Sequence, residues 1–279
     1  MFSIIIPTFN NLLYLKLCIS SIQKNSKFEH EIIPHINEGE DKTEQYLISK
    51  KIKYTVTKYN AGICEGMNMA SKKATTDYIL YAHDDFYFLP GWDEVLLSEV
   101  KKIPHNNFYL SGAMMNNGSL KFDCGNTLED FDEKKLLDNY KDINHYDFQG
   151  STWAPHLIHR EIWNAVGGFS EEFFPGTGSD PDLNMKLWKK GVRIFKGIND
   201  FKVYHFGSIV TRKYKNHPTI KTESGSKGGK IFLLKWGISI KFFKKFFLKS
   251  DTLYEGELSK PDISLTFILH LILCKINYV

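Results

Sequence analysis

The chain has 279 residues, of which 42% are hydrophobic and 24% charged, with a net charge of +4. These values fit an ordinary soluble globular chain with room for a sizeable core. The positive excess is small and residues 1–200 hold no basic run, which argues against a nucleic-acid partner. Cys18, Cys64, Cys124 and Cys274 form no CxxC pair, so neither a zinc site nor a disulfide framework is expected. Reduced thiols and a cytoplasmic location are the simplest expectation.

The first apolar run, residues 2–6, is closed by Pro7. No basic residue precedes it and it is too short for a signal peptide, so it reads as a first β-strand. Leu12, Leu15, Ile19 and Ile22 then recur at steps of three and four, one face of a helix that Asn10 or Asn11 can cap. Residues 31–36 read as a second strand, weakened by Pro34 and His35, and residues 52–57 as a third. Ile63, Met67 and Ala70 mark another helix face. Residues 78–82 form a fourth strand that runs into His83-Asp84-Asp85; a helix over 92–101 and a fifth strand over 108–113 follow.

Beyond residue 116 the pattern is less regular and richer in aromatic residues, Gly and His. A helix over 160–166 ends at Gly167-Gly168, a helix over 181–190 ends at Gly191, and short strands are expected at 192–195 and 202–205. Residues 222–230, rich in Gly, Ser and Lys, read as a mobile loop or linker. In residues 241–249, Phe242 and Phe246 are spaced four apart among Lys241, Lys244, Lys245 and Lys249. A helix there would be amphipathic. It could lie on an anionic membrane surface as a peripheral contact, or pack its Phe face on the domain. The apolar segment 263–276 is too short to span a bilayer.

Alternating strands and helices predict an α/β fold with a mostly parallel central sheet, helices on both faces and a C-terminal helical extension. Three regions follow: residues 1–115, residues 116–215 laid on the same sheet, and residues 216–279. Ligands bind such sheets at the carboxyl ends of strands. Thr8, Asn10, Asn37, Asp84 and Asp85 all fall at those ends, so several strands aim polar groups at one rim.

Adjacent carboxylates at the end of a buried strand are costly unless a cation or a donor network neutralises them. Oxygen ligands suit Mn²⁺ or Mg²⁺ together with substrate phosphates. Asp180 has two readings: it can cap a helix starting at Pro181, or act as a general base pointing into a cleft. Asp182, one turn on, suits the helix dipole. His205 ends a short strand and can serve as a ligand or as an ordinary hydrogen-bonding residue. Trp153, preceded by Gly150-Ser151-Thr152, is the best candidate for stacking on a sugar.

Together these residues resemble the family-2 glycosyltransferases, which have a GT-A type fold. The resembling segments are Ser3-Ile4-Ile5-Ile6-Pro7-Thr8-Phe9-Asn10, Asn60-Ala61-Gly62 with Gly66-Met67-Asn68, the strand leading to His83-Asp84-Asp85, Pro90-Gly91-Trp92, Gly167-Gly168-Phe169 and residues 178–183. They cover roughly residues 2–210, in the family's order. The resemblance implies an inverting transfer from a nucleotide-sugar donor, with a UDP-sugar favoured, to a glycan or lipid-linked acceptor. Pro7, Thr8, Asn10, Asn37, Asn60, Gly62, Asn68, His83 and Asp84 would surround the donor. Asp85 and His205 would hold Mn²⁺ or Mg²⁺, Asp180 would be the base, and Trp153, Ser179 and Asp182 would face the acceptor. Three positions depart from the pattern: His83 replaces the first Asp of the Asp-x-Asp motif, Asn37 replaces the Asp that reads the base, and Ser179 stands where another acid is common. A sugar-nucleotide pyrophosphorylase would need a Gly-rich, Arg-containing loop after the first strand, which residues 7–11 do not supply. A non-catalytic carbohydrate-binding protein of the same fold is the other alternative.

Overall fold

The computed structural model describes residues 1–207, 209–210 and 226–276. Among these residues, nine strands form one sheet in the order β3-β2-β1-β4-β8-β6-β9-β5, with β7 pairing β9. The first half supplies β1 (Ser3–Phe9), β2 (Glu31–Asn37), β3 (Thr55–Thr57), β4 (Tyr78–Tyr81), β5 (Phe86–Phe88) and β6 (Phe108–Asn116). The second supplies β7 (Phe148–Gln149), β8 (His156–His159) and β9 (Ile194–His205). β3, β2, β1 and β4 run parallel, and β6 and β9 run parallel to each other, so the sheet is mostly parallel. β8 is wedged antiparallel between β4 and β6, and β5 and β7 lie antiparallel against β9.

Several boundaries differ from the sequence reading, each for a physical reason. β2 runs through Pro34 and on to Asn37. β3 reaches only the stretch from His35 to Asn37, so Pro34 has no β3 partner on that side, where a missing N–H is tolerated. The two short strands expected at 192–195 and 202–205 are one strand, β9, whose pairing with β6 shifts register between Gly112 and Ala113. The bulge leaves the middle of β9 irregular, and this hides its continuity in sequence. The segment after Asp85 is a further strand, β5, whose three residues are all buried and so carry no alternation.

Helix α1 (Leu12–Asn25) packs on β5, α3 (Gly62–Ser71) on β1 and β2, and α4 (Trp92–Lys102) on β9. The main core joins Ile4, Ile6, Leu80, Tyr109, Phe195 and Val203 of the sheet to Leu15, Met67 and Leu187 of helices, and to Phe232, Phe243 and Leu248 near the C-terminus. The C-terminal extension therefore shares the core of the sheet. Of the loop expected over 222–230, residues 222–225 lie outside the described residues, and the rest begins the helix Ser226–Trp236. Gly228 is needed there for close packing, because a Cβ would collide with the carbonyl oxygen of Thr177. The aromatic segment after it is a short helical turn, Ile240–Phe242, that widens into a π-helix, Phe243–Leu248. Phe242 and Phe243 are buried, so the Phe face packs on the domain. All four cysteines are free and buried.

A buried histidine gives the core a measurable pH dependence. The ring of His35, inside β2, lies between Thr55 and Thr57 hydroxyls at 2.8 and 3.3 Å, beneath Gly66 of α3. Burial lowers its pKa from 6.5 to about 4. A depressed folded pKa gives stability that is present above 6.5 and is lost as pH falls toward 4. His35→Gln removes this dependence. The stability gap between wild type and variant, measured by urea unfolding, is expected to shift toward the variant by up to about 1.4 kcal/mol per pH unit in that window. A gap that stays constant with pH would refute it.

Candidate active site

The carboxyl ends of β1, β2, β4 and β9 meet the start of α3 around a cavity of about 280 Å³. Pro7 and Thr8 come from β1, Asn37 from β2, His83, Asp84 and Asp85 from the turn after β4, and His205 from the end of β9. Asn60 and Gly62 enter from the start of α3. The opposite wall is Pro175, Gly176 and Thr177.

The two aspartates are in different electrical states. Asp84 is buried and accepts a 2.7 Å hydrogen bond from the Thr8 hydroxyl. Burial and the neighbouring charge of Asp85 both raise its pKa. Burial alone would also raise Asp85, but the hydrogen bond from His205 and favourable electrostatic interactions with His205 and His83 outweigh it and hold Asp85 low. One carboxyl of the pair is thus held ionised while the other is prone to carry a proton. The Nε2 of His205 lies 3.5 Å from Asp85. The Nδ1 of His205 lies 2.9 Å from the Asn117 carbonyl oxygen, which can only accept. Nδ1 therefore carries a proton, and Nε2 is the nitrogen turned toward Asp85.

His83 stacks on Phe86 with ring centroids 4.8 Å apart and meets Tyr81 edge-on. Burial lowers its pKa to about 4, so it is a neutral imidazole at neutral pH. Ligand atoms of His83, Asp85 and His205 all lie within 4.8 Å of one another. Two imidazole nitrogens and one carboxylate at this spacing fit a divalent cation. The sequence reading placed only Asp85 and His205 at the metal; the geometry adds His83, the residue that departs from the Asp-x-Asp pattern.

Asn37 and Gly62 bind the rim together. Asn37 Oδ1 accepts the Ala61 N–H at 2.8 Å, and its amide donates to the Thr8 carbonyl at 3.4 Å. Asn60 Oδ1 accepts the Gly62 N–H at 2.9 Å. Gly62 has φ +70°, and a Cβ there would stand 2.9 Å from both the Phe174 ring and the Pro175 carbonyl oxygen. The next residue, Ile63, donates its N–H to that same carbonyl at 2.9 Å. Gly62→Ala is expected to cost about 1–3 kcal/mol and to loosen the 175–177 wall from α3. Urea unfolding together with ligand titration checks this; an unchanged midpoint and affinity would count against it.

Asp180 lies inside α7 (Ser179–Lys189), not ahead of it. The N-cap is Gly178, with φ +85°, and no side chain caps the helix. The capping reading of Asp180 is therefore corrected: the helix starts two residues earlier than Pro181, which fits in the first turn because N–H groups there have no helical partner. Asp180 keeps 29% of its side-chain exposure, while its Oδ1 is buried without a hydrogen-bond partner. Burial raises its pKa to about 7. The Nδ1 of His156 approaches Oδ1 at 4.0 Å, but burial holds His156 neutral down to about 3, so the pair is not an ion pair.

Asp180 is not among the residues that line the cavity, but follows closely in the chain on Gly176 and Thr177, which do. Other expected site residues also lie off the wall and have structural partners. Asn10 Oδ1 accepts the Glu40 and Asp41 N–H groups and so holds the acidic turn after β2. Asn68 brackets the Phe169 backbone, accepting its N–H and donating to its carbonyl, both at 2.9 Å. Trp153 donates its indole N–H to the Gly112 carbonyl at 2.9 Å and meets Phe148 edge-on. Ser179 is buried and donates to the Gly176 carbonyl at 2.7 Å. Asp182 is wholly buried, bound by Ser170, the Trp236 indole N–H at 2.8 Å and Lys235 at 3.0 Å. The sequence reading missed Pro175, Gly176, Thr177, Ile63 and Ile209 as cavity residues. Only the glycines of 176–178 hinted at a close approach.

A family model described as "Glycosyl transferase family 2" matches residues 3–155, over half of the chain. An "Uncharacterized glycosyltransferase" of Haemophilus influenzae is 27% identical over 127 residues, 42% of this chain and 42% of that protein. The chain thus spans less than half the length of that curated relative. Among solved structures, S. aureus TarS 1-349 superposes with TM-score 0.56 at 16% identity, covering 73% of this chain and 60% of TarS 1-349. Its complex with UDP-GlcNAc gives TM-score 0.55 at 14% identity, over 99% of this chain and 80% of the other. At such identities the likeness is one of fold.

Proposed function

Because the chain belongs to glycosyl transferase family 2, we propose that it moves a sugar from a nucleoside diphosphate sugar to a hydroxyl of a glycan or lipid-linked acceptor. The observation that carries this reading is the convergence of Thr8, Asn37, His83, Asp84, Asp85 and His205 from four strand ends on one cavity. A uridine diphosphate donor is favoured by the UDP and UDP-GlcNAc complexes of TarS, which shares the fold.

Thr8 and Asn37 would hold the nucleoside, and Asp84 the ribose or diphosphate. His83, Asp85 and His205 would hold the divalent cation. Two nitrogen donors favour Mn²⁺ over Mg²⁺, which prefers an all-oxygen octahedron. When bound, the cation supplies Lewis-acid stabilisation of the departing diphosphate. Asp180 takes the proton of the acceptor hydroxyl. The hydroxyl oxygen bonds to the anomeric carbon as the carbon–oxygen bond to the diphosphate breaks, which inverts the centre. A base with a pKa near 7 is well matched to this task at neutral pH.

The test is a panel of UDP-, GDP-, CDP- and dTDP-sugars with Mn²⁺, read by thermal shift and by slow donor hydrolysis. Stabilisation by one UDP-sugar, with its hydrolysis, is expected. Pyrophosphate-dependent exchange would indicate a pyrophosphorylase instead. Glycan binding with no nucleotide effect would indicate a non-catalytic carbohydrate-binding protein.

A further inference from the structure

The helix Leu265–Ile276 has two apolar faces and covers only one of them. Its inner face packs Phe267 edge-on against Phe242 and Phe246 at 4.9 and 5.3 Å, and buries Cys274 beside Ser239. On the outer face, Leu265, Ile268, Leu269, Ile272, Leu273 and Ile276 recur at steps of three and four, the spacing of one continuous stripe. These six side chains keep 42% to 74% of their exposure, and Ile263 just ahead keeps 76%. Single exposed apolar residues are ordinary, but a full helical stripe of them marks a surface that meets something.

The charge beside the stripe says what that is. Lys241, Lys244, Lys245 and Lys249 line one shallow groove on the neighbouring Ile240–Phe242 turn and the π-helix that continues it. Lys245 bridges the two features: its Nζ lies 3.3 Å from the ring of His270 on the apolar helix. Lys275 adds a further exposed cation within the helix itself. Asp251 and Glu255 border the same groove, and Lys244 lies 3.6 Å from Asp251, so Lys241, Lys245 and Lys249 carry the excess of positive charge. No helix among the described residues is long and apolar enough to cross a membrane.

We propose that this face is a membrane-docking surface. The Leu265–Ile276 helix lies in the plane of an anionic bilayer, with its outer stripe among the acyl chains and the adjacent lysines on acidic headgroups. Bare apolar surface next to unpaired cations complements a lipid interface, whereas a second protein copy would bring the same cations against themselves. The surface differs from the Phe face of 241–249, whose Phe242 and Phe243 are buried. It stands apart from the cavity residues, so the inference does not depend on the catalytic reading.

Sedimentation of the full chain with vesicles containing equal parts phosphatidylglycerol and phosphatidylcholine tests it, with pure phosphatidylcholine vesicles as the control. Binding to the anionic vesicles is expected, weakened at least about tenfold on neutral vesicles or in about 0.5 M salt. The double variant Ile268→Glu and Ile272→Glu should lose binding by at least about tenfold. Both residues point outward, so its thermal midpoint and far-UV spectrum should match wild type. Lys245→Ala with Lys249→Ala gives a second arm that leaves the stripe intact, and should reduce anionic selectivity. Absence of wild-type binding to anionic vesicles would overturn the proposal. So would unchanged binding of the folded stripe variant, or a wild-type dimer that the same substitutions dissolve while no vesicle binding occurs.

Discussion

Asp180→Asn should lower the rate of transfer by about 10²–10⁴-fold, the range typical for loss of a general base. Donor binding should stay within about threefold of wild type, because Asp180 lies outside the cavity wall. The substitution is close in shape, and the buried Oδ1 has no hydrogen-bond partner to lose, so folding should survive. The pH profile separates a base from a structural residue. Asp180 must be ionised to accept a proton, and burial places its pKa at about 7. Wild-type kcat/KM should therefore fall as pH drops through about 7, and the Asn variant should lose that acid limb. Near-normal turnover with the acid limb intact would remove Asp180 from the chemistry.

A comparably large effect is expected on the other side of the cavity. Asp85→Asn removes the one low-pKa carboxylate of the His83, Asp85 and His205 group. Transfer should drop by about 10²–10³-fold, as expected when Lewis-acid stabilisation is weakened. Manganese titration followed by electron paramagnetic resonance, with UDP present, should show affinity weakened at least about tenfold. His205→Ala should behave in the same direction. Asn117→Ala should have a smaller effect, because it keeps the backbone carbonyl that accepts from His205 Nδ1 and loses only the Asn117 amide bond to the His205 carbonyl. Manganese affinity unchanged in Asp85→Asn would show that these residues do not hold the cation.

Much of the rim was legible because a parallel sheet projects its strand ends to one edge. Thr8, Asn37, Asp84 and Asp85 lie at the ends of strands that local apolar runs mark, though Pro34 and His35 weaken the second, and all four line the cavity. His205 was harder to locate, since its position depends on β9 lying between β6 and β5, with Phe86 paired opposite His205. No local pattern encodes that pairing across more than a hundred residues. His83 looked like a loss of a ligand when judged by residue type, yet its burial and neutral ring fit it to the same cluster. The start of α7 was misread for another reason. Ser179-Asp180-Pro181 imitates a capped start with Pro at the first position, and only the left-handed backbone at Gly178 moves it. Asn10, Asn68 and Trp153 carry residue types that suit ligand contact, but their polar atoms are taken up by neighbouring backbone.

The clasp on Asp182 ties the fate of the reacting half to segments far along the chain. Its carboxylate sits in the interior, and two of its three partners, Lys235 and Trp236, belong to the Ser226–Trp236 helix. A buried anion that loses its cation is destabilising by about 3–5 kcal/mol. Cutting the protein before that helix would strand this charge two positions from Asp180. The tail is therefore a buttress for α7, and a truncated form that stops short of Ser226 would remove the cation and the indole that hold Asp182 in place.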